Sequence, residues 1–137
     1  MIRNILRTAG AKARNFANTA DDATEMRPEG VYIVDILDGA TADKDITVTH
    51  KFEVTRVEVI KKAGAGGASD TITVKNAGTA ITDAMSINVA DKTVVRPTTI
   101  DDAQTVISAG GTLRVTRTKA SGANVACRVL IYGVRRA

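Results

Sequence analysis

A chain of 137 residues suits one domain, and a domain of that size buries roughly two-thirds of the surface its unfolded chain exposes, so no disulfide or metal staple is needed to hold a core. The composition of 1 Cys, 1 His, 2 Tyr, 2 Phe and 0 Trp excludes an intramolecular disulfide and supplies no aromatic platform for a sugar. The formal net charge of +4 is unevenly placed: Arg3, Arg7, Lys12 and Arg14 stand in the first twenty residues without one acid, so the arm is basic and the remainder neutral.

In that arm Ile2, Ile5, Leu6, Ala9, Ala13, Phe16, Ala17 and Ala20 recur at three- and four-residue intervals, one face of a helix if a helix forms. Gly10 weakens it, and so little apolar bulk leaves a free helix marginal; the arm is expected to order against a partner. Its composition is shared with organelle transit peptides, but arginines interrupt any secretory apolar core. The acidic segment 21–30, with Arg27-Pro28 and a closing Gly30, reads as the linker. This divides the chain into an arm and linker at 1–30 and a β-domain at 31–137.

Beyond Gly30 short β-rich runs are punctuated by turn residues, with strands predicted near 31–37, 46–54, 57–62, 70–76, 81–89, 92–97, 105–108, 112–119 and 124–134. Asp38-Gly39, the Gly-rich stretch 63–69, Asn76-Ala77-Gly78, Asp91-Lys92, Gly110-Gly111 and Ser121-Gly122 separate them. About eight strands with frequent turns predict an all-β, jelly-roll-like β-sandwich carrying an extended or partly helical N-terminal arm. Ile46, Val48, His50, Phe52 and Val54 keep one phase while Val57 and Val59 take the other. That slip demands a bend or extra residue near Thr55-Arg56, read here as the point where the chain changes sheets. One short helical turn is predicted within 99–111, capped by Thr99 or Asp101. The last strand is apolar on both faces, which suits a central strand or one covered by a neighbour, and Arg128 within it needs a partner.

The residues offer little chemistry. In 61–78, KKAGAGGASDTITVKNAG, Lys61 and Lys62 precede the glycines and a strand follows them, the reverse of a phosphate-binding loop. The only imidazole, His50, and the only thiol, Cys127, lack the spacing of a metal or nucleophile site, and Cys127 reads as a buried, inert side chain in a chain suited to a reducing compartment. Asp21-Asp22, Asp43/Asp45 and Asp101-Asp102 are the loop carboxylates that could take calcium, and each reads first as a solvated turn or cap. No catalytic residue, metal or cofactor is assigned, and an enzyme is not expected. The basic arm and Arg135-Arg136 suit an anionic partner, but no readout surface for specific nucleic acid accompanies them, and no run reaches the length of a membrane span.

The stretch 57–119 resembles the small jelly-roll proteins encoded in the head gene modules of tailed bacteriophages, which serve as capsid decoration or cement proteins. The resemblance is carried by the Gly-rich turn before DTITVKN, by AITDAMSINVADKTVVR, by TIDDA and by ISAGGTLRVT entering the last strands. It covers about residues 46 to 134; the arm matches only in kind. It implies a homotrimer on the outer surface of the capsid, at three-fold positions, bridging major capsid protein subunits after assembly in the host cytoplasm. On that reading Ile2, Ile5, Leu6 and Phe16 fill grooves of the shell while Arg3, Arg7, Lys12 and Arg14 meet its acids. Val129, Ile131, Tyr132 and Val134 are then expected at the trimer core or its border. A head-fibre or tail-adaptor component would share most of these features, and a ligand-binding β-sandwich module is the alternative from another class.

Overall fold

The computed structural model describes residues 29–36, 42–65, 69–119 and 124–137, so the arm, the Asp38-Gly39 and Ser121-Gly122 turns and the centre of the Gly-rich stretch lie outside the described residues. Ten strands appear among them: β1 (Glu29–Ile36), β2 (Ala42–Thr47), β3 (Phe52–Ala65), β4 (Thr71–Asn76), β5 (Thr79–Ala80), β6 (Met85–Ser86), β7 (Val94–Val95), β8 (Val106–Ile107), β9 (Thr112–Thr118) and β10 (Asn124–Arg135). One sheet runs β1-β10-β3-β7 with β8 also on β3; the other runs β2-β9-β4-β5 with β6 also on β4. Every pairing is antiparallel. From β1 to β4 the long strands alternate between the sheets, β9 rejoins the sheet of β4 and β10 returns to the first, and the fold is an all-β two-sheet sandwich as the turn spacing predicts.

The core follows from strand alternation. Val34 and Ile36 of β1, Val57 and Val59 of β3, Ile72 and Val74 of β4, Leu113 and Val115 of β9, and Val125, Cys127, Val129 and Ile131 of β10 all face inward and are buried. Phe52, Val54, Met85, Ile87 and Ile107 close the ends of this layer. β10 is the central strand of its sheet, between β1 and β3, and Arg128 finds the partner it needs in Asp35 directly across on β1.

Two details of the segment 46–62 differ from expectation in an instructive way. The phase slip is present: Tyr132 pairs with Arg56 and Gly133 with Val54, leaving Thr55 as the extra residue of a bulge inside β3. The change of sheet, however, happens earlier, at 48–51, between β2 and β3. There Val48 is held by the Gly110-Gly111 turn, its N–H donating to the Gly111 carbonyl (3.0 Å) and its carbonyl accepting from Gly110 N–H (2.7 Å). Gly110 adopts φ +81°, a left-handed conformation that a side chain would strain. Two β-branched residues in phase on either side of a crossing therefore look like one strand.

Other elements shorten for similar local reasons. The predicted strand 81–89 is β6 with a turn before it, because Asp83 turns its Oδ1 onto the N–H groups of Thr98 (3.0 Å) and Thr99 (3.2 Å) instead of extending. The predicted helical turn is a 3-10 turn, Asp102–Gln104, whose N-cap Asp101 accepts from Ala103 N–H at 3.0 Å. The Gly-rich stretch leaves β3 at Ala65 and the chain re-enters as β4 at Thr71, so it carries the chain from one sheet to the other.

Candidate interaction face and edge

The two outer faces of the sandwich differ in kind. On the second sheet Arg114, Thr116 and Thr118 of β9 stand beside Asp45 and Asp43 of β2 and Lys75, Thr73 and Thr71 of β4, a wholly polar surface. Arg114 grips Asp45 through Nε (2.6 Å) and Nη2 (2.8 Å), which holds the Asp45 carboxyl below the usual carboxylate range, and Thr116 Oγ1 donates to Asp43 at 2.7 Å. These carboxylates, weighed above as calcium ligands, are engaged with side chains of their own sheet. Asp83 and Asp101, which line a hollow of about 300 Å³ with Thr82 and Ile100, are likewise engaged with backbone N–H groups.

The first sheet is different. Among the described residues the exposed large hydrophobics are Val31, Ile33, Val94 and Val106, and all four project from its outer side. Val31 stands across from Tyr132 and Ile33 across from Leu130; Val94 pairs with Ile60, and Val106 with Glu53. Ile33, at 55% exposure, is the most open of them. Charged pairs frame the apolar positions. Arg128 donates to Asp35 from Nε (2.7 Å) and Nη2 (3.1 Å), holding that carboxyl low, Arg96 Nη2 meets Glu58 at 2.6 Å, and Arg136 meets Glu53. The Arg56 guanidinium lies 3.9 Å from the centroid of the Tyr132 ring.

This face divides the residues expected at an oligomer border. Tyr132 and Val134 lie on it, half-buried. Val129 and Ile131 do not: both are fully enclosed between the sheets of their own subunit, packed against the second sheet, and so are not available to a neighbour. The arm residues Ile2, Arg3, Ile5, Leu6, Arg7, Lys12, Arg14 and Phe16 lie outside the described residues; the described chain begins at Glu29 in β1, the strand that carries Val31 and Ile33.

At the Glu29 end of β1 a cleft of about 280 Å³ opens, lined by Tyr32, Phe52, His50, Glu29 and Arg135. Its floor is an edge-to-face aromatic pair, Tyr32 and Phe52, with centroids 5.0 Å apart. Phe52 seats on Gly133 of β10, the position at which β10 has no side chain to obstruct it. The exposed His50 ring lies 3.0 Å from Thr49 Oγ1.

Sequence reasoning missed the buried polar groups. Arg117 and Asp70 are both fully enclosed, with Arg117 Nη2 3.2 Å from Asp70 Oδ1 and Nη1 donating to the Val125 carbonyl at 3.0 Å. Lys61, whose side chain is also enclosed, donates from Nζ to the Val89 carbonyl (2.6 Å) and faces Asp91 at 3.5 Å, so the lysine of the Gly-rich stretch ties β3 to the Asp91-Lys92 turn. The signal was present, since Asp70 shares the phase of Ile72 and Val74, Arg117 that of Leu113 and Val115, and Lys61 that of Val57 and Val59.

Cys127 faces the core beside these groups, and burial pushes its thiol up to about 11, with the Arg117 charge opposing. A thiol that holds its proton more firmly folded than unfolded costs nothing below pH 9 and subtracts stability as pH rises from about 9 to 11. Cys127→Val is expected to remove this loss, worth about 3 kcal/mol at full extent. The check is the difference in urea midpoint between pH 8 and pH 10.5, which should be larger for the wild type than for the variant; equal differences would contradict it.

Among the described residues no group of His, Cys, Asp and Glu is placed to hold a metal ion, and no helix is long and apolar enough to cross a membrane. Comparison with known proteins adds no relative: no family model matches the chain, and neither a curated protein nor a solved structure matches it significantly.

Proposed function

We propose that this chain is a structural virion protein that decorates and stabilises a tailed-phage capsid, sitting as a trimer on its outer surface and bridging major capsid protein subunits. The observation that carries the reading is the asymmetry of the sandwich. A polar, Thr-rich outer face suits solvent, whereas the opposite face carries every exposed large hydrophobic of the described residues, Val31 and Ile33 of them beside Tyr132 and Leu130. Apolar side chains gathered on one side of a small β-domain mark a surface that meets protein. In the sequence the basic arm precedes β1, the strand that carries Val31 and Ile33.

In a ring of three, one patch of each subunit meets a different patch of the next. The outer face around Tyr132 and Val134 supplies one such patch. The arm supplies contact with the shell: Ile2, Ile5, Leu6 and Phe16 fill apolar grooves while Arg3, Arg7, Lys12 and Arg14 meet acids. Decoration of this kind works by mass action and area, since each bound subunit adds buried surface across seams that internal pressure must open.

Deleting residues 2–20 tests the division of labour. The shortened protein is expected to keep the circular dichroism, urea midpoint and mass of the full chain while its affinity for emptied, undecorated heads falls at least a hundredfold. Undiminished decoration by the shortened protein would remove the arm from the account.

A further inference from the structure

The bulge in β3 turns one arginine outward. Val54 and Val57 are both buried while Thr55 and Arg56 between them are both exposed, so the extra residue is what puts Arg56 on the outer face of the first sheet, across from Tyr132. Re-aiming a side chain is a usual consequence of a bulge. On this side Arg128, Arg96 and Arg136 each hold a carboxylate of their own chain, from Asp35, Glu58 and Glu53. Arg56 holds none among the described residues, and its guanidinium rests on the Tyr132 ring instead.

A guanidinium stacked by its face keeps its N–H donors around its edge, in the fork that matches a carboxylate. Exposed Val31 stands across from Tyr132, and arginine and tyrosine beside apolar side chains are what anchor one protein on another. The chain's own acids narrow the choice of partner. Among the described residues every side-chain carboxylate but one is engaged, by an arginine, by Lys61, by a threonine hydroxyl or by a backbone N–H. The exception is Asp102, exposed in the 3-10 turn. That turn lies on the flank of the sandwich, tying the margins of both sheets: Asn76 of β4 donates from Nδ2 to the Gln104 carbonyl (3.2 Å), and Val54 of β3 donates its N–H to the Thr105 carbonyl (2.9 Å). Val106, an exposed large hydrophobic, follows directly.

We infer that the outer face of the first sheet is the receiving half of a contact between copies of this chain, in which Arg56, held against Tyr132, takes the carboxylate of Asp102 of the partner subunit. Charge complementarity selects a second copy as the occupant. The face offers an arginine with no carboxylate, the flank offers a carboxylate with no donor, and each has an exposed valine at hand, Val31 on the face and Val106 on the flank. Because the two groups lie on different surfaces of one subunit, the contact runs head to tail, the kind from which a closed ring is made. The inference rests on the trimer of the reading above and names its two patches.

The test is a dilution series of the full chain followed by light scattering, with Arg56→Asp, Asp102→Arg and the double variant alongside. Both positions are exposed, so all three variants are expected to keep the wild-type urea midpoint. Each single change sets like charges against each other across the contact and is expected to weaken self-association about thirtyfold or more. The double change restores opposite charges and is expected to associate about tenfold more tightly than either single variant. Wild-type self-association in either single variant, or a double variant no tighter than the singles, overturns the inference and leaves the trimer standing. Arg56→Asp with the wild-type mass in solution but weakened binding to emptied, undecorated tailed-phage heads names the shell as the occupant and overturns the copy-to-copy contact. A wild-type chain that stays single at every concentration overturns the inference and the trimer together.

Discussion

Arg117→Met is expected to lower the stability of the domain by about 3–5 kcal/mol, because it strands a buried carboxylate. Both side chains of the Arg117–Asp70 pair are at 0% exposure, so neither charge has water to fall back on. The guanidinium reaches Asp70 from Nε and Nη2 and the Val125 carbonyl from Nη1, joining β9, the start of β4 and β10 across the end of the core. Removing it leaves an uncompensated charge and takes a donor from the Val125 carbonyl. For a chain of this size the loss corresponds to roughly 10 to 20 °C in melting temperature. Asp70→Asn is expected to cost less, since an amide keeps one acceptor for the guanidinium. The double change Arg117→Met with Asp70→Leu should recover most of the deficit, because a buried ion pair gains little over an apolar pair of similar size. A double variant no more stable than Arg117→Met alone would show that the cost lies in packing and not in the orphaned charge.

Gly133→Ala is the second large effect. A Cβ at this position would stand 2.2 Å from the Glu53 carbonyl oxygen and 2.5 Å from the Phe52 ring. Gly133 has no left-handed φ, so backbone strain is not the issue; the absence of a side chain is what lets β3 cross this close. The ring could tilt, but the Glu53 carbonyl belongs to the β3 ladder and can retreat only by moving the strand. Overpacking of a closed core costs about 1–3 kcal/mol and more where backbone must move, so the upper end applies here. Chemical denaturation of Gly133→Ala, alone and with Phe52→Leu, separates the two contacts: the leucine should return only part of the loss. A Gly133→Ala protein with the wild-type midpoint would mean that some other contact sets the approach of β3 to β10. The same variant should disturb the cleft, because Phe52 forms its floor with Tyr32.

Alternation and turn residues carried most of the architecture. Gly110-Gly111, Asn76-Ala77-Gly78 and Asp91-Lys92 all sit at turns, with Ala77 at φ 53° and Lys92 at φ 66°. The slip between Val54 and Val57 pointed to an extra residue near Thr55-Arg56, where β3 carries a bulge at Thr55. What alternation could not reveal was the identity of a sheet: Val48 and Phe52 stay in phase across the crossing from β2 to β3 because both end up facing the same core from different layers.

The apolar outer face was legible only in part, and for a related reason. In β10 both phases are apolar, so periodicity alone could not say which of them was core. Arg128 held the answer, since it shares its phase with Leu130, Tyr132 and Val134, and that phase therefore faces outward while Val129 and Ile131 face inward. That β1 ends its sheet was not legible at all, because which strands end a sheet depends on long-range pairing that no local pattern encodes. The buried ions went unread although their phase placed them in the core: Asp70 and Arg117 received no reading, and Lys61 was weighed only as part of a phosphate loop.

The central claim, a trimer whose arm meets a viral shell, is tested most directly by measuring mass in solution by light scattering and then sedimenting the protein with emptied, undecorated tailed-phage heads. The account predicts a stable species of three 14.4 kDa chains that co-sediments with heads to saturation. A monomer that stays in the supernatant with every head tried would contradict it.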